Sequence, residues 1–409
     1  MFEFPPRPKR EPDPEPISLG AVVPSWSVLV SRDRLRPIGV RLVVRPAARA
    51  LAAPLAGVLD AVLAGFVAEG ATAFPHGLVV VAPVDFGLDA SLAGWTAPRN
   101  VLLEVAPSAL EDDDQLRLLF DVQRQGVRLV LRLDRGPVPS AERLKLFQYV
   151  LAADAGFDTS VAPWIALAPP DAAAAAAAFE RGAQAVAGWP LPVVADSGGG
   201  ALQPMQRAVL ELIRLVQADA DIVDVERTLK TEPVLAYMLL TLANSAAFMP
   251  GRAISSLHQA IVMLGYARLV KWLVLLLVIA SKGSSNAPLV YGAVARGFAL
   301  EYLAAAASAP RLQQDEAFIV GAFSLLDAIT GQPLAQLVSD VVLPTSICDA
   351  LLHGRGPHAP NLARAMAFER DGEWSPNAPD AATSGPGADA TNASLLQALA
   401  ATDALLALV

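Results

Sequence analysis

The side chains that most often hold catalytic metals are sparse in this sequence. Four histidines, His76, His258, His353 and His358, are scattered along the chain, and none of them is followed by Asp. A zinc or similar site needs three or four ligands, and no further ligands surround the pair His353 and His358. We therefore predict no metal site built on histidine.

Nucleophiles and phosphate-binding loops are equally scarce. The single cysteine, Cys348, lies among apolar neighbours, which favours an inert core position over a reactive thiolate. No GxxxxGK[ST], GxGxxG or GxSxG motif is present. The run Gly198–Gly200 lacks the preceding strand and following helix of a phosphate loop, so we interpret it as a hinge. The residues thus predict neither a cofactor nor a catalytic site.

Composition narrows the class of protein. A chain of 409 residues is longer than a domain with a single hydrophobic core usually is, so two domains are expected. The hydrophobic content of 54% raises the question of a membrane span, and Leu269–Ala280 is the best candidate. A span needs about 20 apolar residues, and shorter runs are more often core helices. We predict a buried helix there and no membrane span.

Charge and cysteine content point to the compartment and the partners. The net charge of −9 argues against nucleic acid as a partner, because phosphate binding needs clustered Lys and Arg. The N-terminus has no apolar segment of the kind found in secretory signals. One cysteine fits a reducing compartment. These observations predict a cytoplasmic protein.

Residues 21–196 alternate apolar strands with helical segments, after a Pro-rich tail at 1–20 that we predict to be disordered. This alternation indicates an α/β fold with a parallel sheet or barrel. Its length is short for an eight-unit barrel, which usually takes about 250 residues, so we expect a shortened, TIM-barrel-like domain. The predicted strands are Trp26–Ser31, Gly39–Arg45, Gly77–Ala82, Val101–Val105, Val127–Asp134 and Trp164–Ala168, with weaker candidates at Gln184–Ala187 and Val193–Ala195. The predicted helices are Leu51–Glu69, Asp112–Gln125, Ala141–Ala153 and Ala172–Ala178, the last with Asp171 as N-cap.

The second half is predicted to be all-helical. A hinge at 197–203 leads to a helical domain at 204–374, a linker at 375–394 and a C-terminal helix at 395–409. Within the domain, Asp221 is a candidate N-cap and Pro233 suits the first turn of a helix. Ser256 and Gln259 have the spacing of a capping box, and Gly265 ends the helix that they open.

Three segments of this half resemble the HDOD domain of bacterial signalling proteins. They are EPVLAYMLLTLANSAAF at 232–248, ISSLHQAIVMLG at 254–265 and FIVGAFSLLDAITGQPL at 318–334. The resemblance places Pro233, Asn244, Ser245 and Gly265 at hallmark positions, and we interpret Asn244 and Ser245 as a polar helix end. HDOD domains are similar to HD phosphohydrolases without metal ligands, which agrees with the missing His-Asp pair.

The first half resembles a degenerate EAL domain. The run GVRLVVR at 39–45 matches the EAL signature strand, and Arg41 stands where the family has a metal-binding Glu. Glu104 and Asp134 match acidic positions that the sequence retains. EAL phosphodiesterases hydrolyse cyclic-di-GMP with divalent metals held by carboxylates, and a cation at position 41 opposes such a metal. The resemblance implies a scaffold without its metal site.

From both resemblances we predict a non-catalytic regulatory protein, not an enzyme, in a cyclic-di-GMP-related pathway. It would act through contacts with other signalling proteins or with a second copy of itself, mainly through the helical domain. One alternative is a receptor that binds cyclic-di-GMP without hydrolysing it, with Arg41, Arg45 and Arg132 as candidate phosphate ligands. Another is residual cyclic-di-GMP phosphodiesterase activity.

Overall fold

A computed structural model describes the greater part of the chain. The described residues are 17–33, 35–48, 53–67, 74–133, 138–188, 204–243, 256–279, 287–339, 343–370 and 386–406. The predicted hinge at 197–203 lies outside them, as does most of the predicted disordered tail; Leu19–Ala21 form a 3₁₀ turn.

The first half is a closed barrel of eight strands that hydrogen-bond in sequence order. Strand β1 runs antiparallel to both of its neighbours, β2 and β8, and the other neighbouring pairs are parallel. The predicted TIM-barrel-like fold is confirmed. The strands are β1 (Val22–Ser31), β2 (Pro37–Pro46), β3 (Leu78–Pro83), β4 (Val101–Val105), β5 (Arg128–Leu133), β6 (Tyr149–Ala152), β7 (Trp164–Leu167) and β8 (Ala185–Ala187).

The barrel is short because its connections are short. Strands β1 and β2 are joined by a turn, and the connection from β3 to β4 contains a 3₁₀ turn at Ala90–Leu92. The set of eight strands is therefore complete, and the domain is shortened in its connections. The helices of this half are α1 (Leu55–Gly65), α2 (Asp113–Arg124), α3 (Ala141–Leu144) and α4 (Ala172–Glu180).

Local signals explain where these helices begin, and one of them misled the prediction. Asp171 caps α4 as predicted, since its Oδ1 accepts a hydrogen bond from the N–H of Ala174 at 2.7 Å. The helix predicted over Ala141–Ala153 is wrong in its second half, which forms β6. An apolar run of four residues is too short to show a helical or a strand period.

The second half is helical. Asp221 caps α6 (Ile222–Lys230) as predicted, and Gly265 interrupts α8 (Leu257–Ile279) with a φ of 71° that L-residues rarely adopt. Buried side chains of α8, among them Leu269 and Leu273, join the core of this half, as expected for a buried helix. The helices are α5 (Pro204–Gln217), α6 (Ile222–Lys230), α7 (Pro233–Ala243), α8 (Leu257–Ile279), α9 (Ala287–Ala306), α10 (Arg311–Phe323), α11 (Leu326–Thr330), α12 (Leu334–Ser339), α13 (Thr345–His353) and α14 (Ala359–Phe368).

A last helix, α15 (Ala388–Leu406), lies between the two halves. It starts inside the segment that we predicted as linker, and it packs against α9 of the helical half and against α1 of the barrel. Helix α9 is the one described helix that is long and apolar enough to cross a membrane. A buried core helix passes the same test of length and composition, and 72% of the most apolar window of α9 is buried inside the protein.

Candidate functional site

Side chains alternate between the inside and the outside of the barrel, and this alternation selects the residues at its mouth. Leu102 of β4 and Val130 of β5 belong to the small apolar cluster inside the barrel. Two residues further along each strand, Glu104 and Arg132 face the same interior. Arg41 of β2 meets Glu104 there. Arg41 is in the middle of β2, and Arg45, Glu104 and Arg132 are near the carboxyl ends of their strands; we call these four residues the mouth of the barrel.

Arg41 and Glu104 form a buried, two-pronged ion pair across the mouth. Arg41 Nε lies 2.6 Å from Glu104 Oε2, and Arg41 Nη2 lies 2.7 Å from Glu104 Oε1. Only 8% of Arg41 and 5% of Glu104 are exposed. Parallel N–H donors on both carboxylate oxygens give the strong bidentate geometry of an arginine–carboxylate pair. The carboxylate is thus fully engaged by a cation of the chain.

Two further arginines surround this pair nearer the solvent. Arg132 Nη1 lies 3.9 Å from Glu104 Oε1, and Arg45 Nε lies 3.8 Å from Asp85 Oδ2, just beyond β3. Their side chains are 25% and 29% exposed. Among the described residues of the mouth and its edge, three guanidinium groups lie beside two carboxylates, Glu104 and Asp85, so these described groups together carry a net positive charge. Such a charge at the strand ends favours an anionic ligand.

The described residues of the mouth do not fit a divalent cation. No group of three or more His, Cys, Asp or Glu side chains with metal-site geometry occurs among the residues that the structure describes. Glu104 is surrounded by arginines, and a guanidinium repels Mg²⁺, Mn²⁺ or Ca²⁺. Asp134, the other acidic position expected from the EAL resemblance, lies outside the described residues.

The predicted HDOD positions are described only in part. Pro233 is the first residue of α7, which agrees with its predicted place in the first turn, and Gly265 breaks α8. Asn244 and Ser245 lie outside the described residues. The structure therefore leaves their interpretation as a polar helix end as a prediction.

Several polar pairs of the helical half were not anticipated from the sequence. His358 is 3% exposed and its Nε2 lies 2.9 Å from Glu316 Oε2, which also accepts a hydrogen bond from Ser346 Oγ at 2.8 Å. Arg296 forms a bidentate pair with Glu369, with both N–O distances at 2.6 Å. Partners 42 and 73 residues apart leave no local pattern, so no signal in the sequence could have paired them.

Comparison with known proteins assigns the helical half. Residues 202–342 match the family model of the HDOD domain. The predicted order, a TIM-barrel-like domain followed by an HDOD domain, is confirmed by this match and by the closed barrel.

Individual relatives are similar over part of their length. Cyclic di-GMP phosphodiesterase CdgJ of Vibrio cholerae is 30% identical over 175 residues, which are 42% of this chain and 40% of the relative. The uncharacterized protein YuxH of Bacillus subtilis is 29% identical over 121 residues, 29% of each chain. The matched segments thus cover less than half the length of each of these curated relatives.

Solved structures of two cyclic-di-GMP complexes are also similar to parts of this chain. The Bacillus subtilis YkuI protein, with an EAL domain, in complex with cyclic-di-GMP and calcium, has a TM-score of 0.31 at 13% identity, covering 60% of this chain and 71% of that one. The PaMucR phosphodiesterase in complex with cyclic-di-GMP has a TM-score of 0.30 at 15% identity, covering 41% and 89%.

These comparisons correct one prediction. We expected that the chain is not an enzyme, and a relative at 30% identity that bears the name of a phosphodiesterase contradicts this. The expectation rested on the cation at Arg41 in the EAL resemblance and on the missing His-Asp pair in the HDOD resemblance. Such matches identify a changed ligand position, but they do not establish what the remaining polar groups of a barrel can do.

Proposed function

We propose that this protein binds cyclic-di-GMP at the mouth of the barrel and takes part in cyclic-di-GMP signalling. The observation that carries the proposal is the cluster of three arginines among the described residues of the mouth, in which Arg45 and Arg132 flank the buried pair of Arg41 and Glu104. The relative named a cyclic di-GMP phosphodiesterase and the HDOD match support the same pathway.

The chemistry of the mouth suits a cyclic dinucleotide. Its two phosphodiesters carry one negative charge each, and a guanidinium can donate two parallel N–H bonds to a phosphate. Glu104 holds the Arg41 guanidinium in one orientation, which lowers the entropy lost when a ligand binds. Because the mouth brings its own cations, binding is expected to proceed in the presence of a metal chelator.

Calorimetry with cyclic-di-GMP on the full chain tests this proposal. We expect the wild type to bind cyclic-di-GMP in EDTA with a dissociation constant in the micromolar range. Arg132→Ala should weaken binding about tenfold or more, since a charged hydrogen bond contributes roughly 1.5–3 kcal/mol. Arg128→Ala is the matched control, because Arg128 is an exposed arginine at the other end of the same strand. Absence of heat with the wild type, or equal losses in both variants, would contradict binding at the mouth.

Hydrolysis of cyclic-di-GMP is a second candidate, favoured by the name of the Vibrio cholerae relative. It is tested by incubating the full chain with cyclic-di-GMP and Mn²⁺ and separating the linear product by chromatography. Turnover that disappears in Arg41→Ala and persists in Arg128→Ala would place the reaction at the mouth. No product above a protein-free control would remove this candidate and leave the receptor proposal standing.

We also propose that the helical domain is the contact surface for other signalling proteins. The HDOD match supports this role, and a second copy of the chain is an alternative partner. Affinity capture with the full chain, with and without cyclic-di-GMP, tests whether the ligand changes which proteins are bound. An identical set of captured proteins in both conditions would contradict a ligand-controlled contact.

A further inference from the structure

Strand β1 has one face in the barrel interior and the other against the helical half. On the inside, Ser27 is in register with Arg41, and Ser25 with Val43. On the outside, Trp26 contacts Tyr291 of α9, with ring centroids 6.0 Å apart. The strand that borders Arg41 at the mouth is thus also the strand on which the helical half docks.

The connection from β1 to β2 is a turn, so no helix of that connection covers the apolar outer face of these two strands. Elements from beyond the barrel cover it instead. Tyr291 and Ala295 of α9 belong to the barrel core, whereas Ala299 and Leu300 of the same helix belong to the core of the helical half. Helix α9 therefore packs on both halves at once.

Helix α15 is shared in the same way. Leu396 and Leu399 pack in the barrel core, and Leu395 and Ala398 pack in the helical core. Its buried residue Asn392 donates from Nδ2 to the backbone carbonyls of Leu19 at 2.9 Å and Val22 at 2.8 Å, where β1 begins.

Both ends of α15 are also hydrogen-bonded to the barrel half. Near its start, Asp389 accepts hydrogen bonds from Ser18 Oγ and from the N–H of Gly20. Near its end, Asp403 Oδ2 accepts from the N–H of His76 at 2.6 Å and of Gly77 at 3.2 Å. The helix thus spans from the start of β1 to the segment before β3.

Three glycines of the barrel make room for this helix. A Cβ added at Gly65 would lie 2.6 Å from Leu396, one at Gly77 2.8 Å from Asp403, and one at Gly20 2.9 Å from Asp389. All these distances are shorter than a normal carbon contact. The surface of the barrel is therefore shaped to accept α15 along the whole length of the helix.

We infer that occupancy of the mouth and docking of α9 and α15 on the outer face of β1 are thermodynamically coupled, so that the HDOD half senses the ligand through β1. This inference rests on the proposed binding of cyclic-di-GMP. Its physical basis is that one strand borders both sites, and any shift of β1 that improves one set of contacts changes the other. Coupling of this kind is reciprocal.

Hydrogen exchange on the wild-type full chain, with and without saturating cyclic-di-GMP, tests the coupling without any substitution. We expect slower or faster amide exchange in 388–406 and 287–306, which lie outside the barrel, in addition to changes at the mouth. The segment 113–124, α2, which packs on the barrel away from β1, serves as the internal control. Exchange changes confined to the mouth would overturn the coupling.

Reciprocity gives a second test by calorimetry. Asn392→Ala removes both bonds to the start of β1, and we expect it to change the affinity for cyclic-di-GMP about fivefold or more. Ser394→Ala is the matched control, since Ser394 is also buried but bonds only within its own helix, to Ala390 O. A folded Asn392→Ala protein with wild-type affinity would overturn the coupling.

The two proposals fail in distinguishable ways. No binding by the wild type overturns the proposed function and the coupling with it. Binding that depends on Arg132 but leaves exchange in 388–406 unchanged overturns the coupling alone. If Asn392→Ala does not fold, the exchange experiment on the wild type still decides between these outcomes.

Discussion

The two halves of the molecule both bury a bidentate arginine–carboxylate pair, but in different surroundings. In the barrel, Arg41 and Glu104 lie beneath Arg132 and Arg45, which are partly exposed at the mouth. In the helical half, Arg296 joins α9 to Glu369 and also donates to Ser324 Oγ at 3.0 Å. The first pair is flanked by two further arginines whose side chains are 25% and 29% exposed, whereas the second closes a contact between helices.

This difference indicates what each pair is for. A buried pair that is saturated within the protein contributes mainly to how the elements fit together, and its removal from one side is costly. A pair that is flanked by further cations at an open strand end can exchange contacts with an anion. The same two residue types therefore support packing in one half and recognition in the other.

The largest expected effect is in the helical half. Arg296→Met leaves the Glu369 carboxylate, which is 14% exposed, without its bidentate partner. We expect the free energy of unfolding to fall by about 3–5 kcal/mol, as is typical when one member of a buried pair is removed. Urea denaturation followed by circular dichroism measures it. The double variant Arg296→Met with Glu369→Leu should recover most of the loss, and a single variant as stable as the wild type would contradict a packing role.

The variant Arg41→Met tests whether the Arg41–Glu104 pair has a different role from the Arg296–Glu369 pair. The loss of stability should be smaller, about 1–3 kcal/mol, because Arg132 remains 3.9 Å from Glu104 and still offsets part of its charge. The affinity for cyclic-di-GMP should fall at the same time, since the Glu104 charge is then less compensated. Denaturation and calorimetry on the same preparation give both numbers. A stability loss equal to that of Arg296→Met with unchanged affinity would make the barrel pair another packing contact.

Local patterns predicted much of this architecture, and long-range contacts supplied the rest. Asp171 and Asp221 were recognised as helix caps because a cap acts within three residues of its own position. The matched positions of Arg41 and Glu104 were also found, but not that they bond to each other, because 63 residues separate them. The packing site of α15 on the barrel likewise depends on glycines that are far away in the sequence. The prediction of a C-terminal helix therefore did not show where that helix packs.

The smallest expected effect tests whether the two halves unfold separately. Asp171 caps α4 in the barrel and Asp221 caps α6 in the helical half, so each cap belongs to one half only. Replacing either residue with Ala should cost about 1 kcal/mol. Because α9 and α15 belong to both cores, we expect one cooperative thermal transition that both variants shift downwards by a similar amount. Calorimetric scans in which Asp171→Ala lowers one transition and Asp221→Ala lowers another would show that the shared helices do not join the halves into one cooperative unit, and the coupling between mouth and helical domain would then have to act across a weak interface.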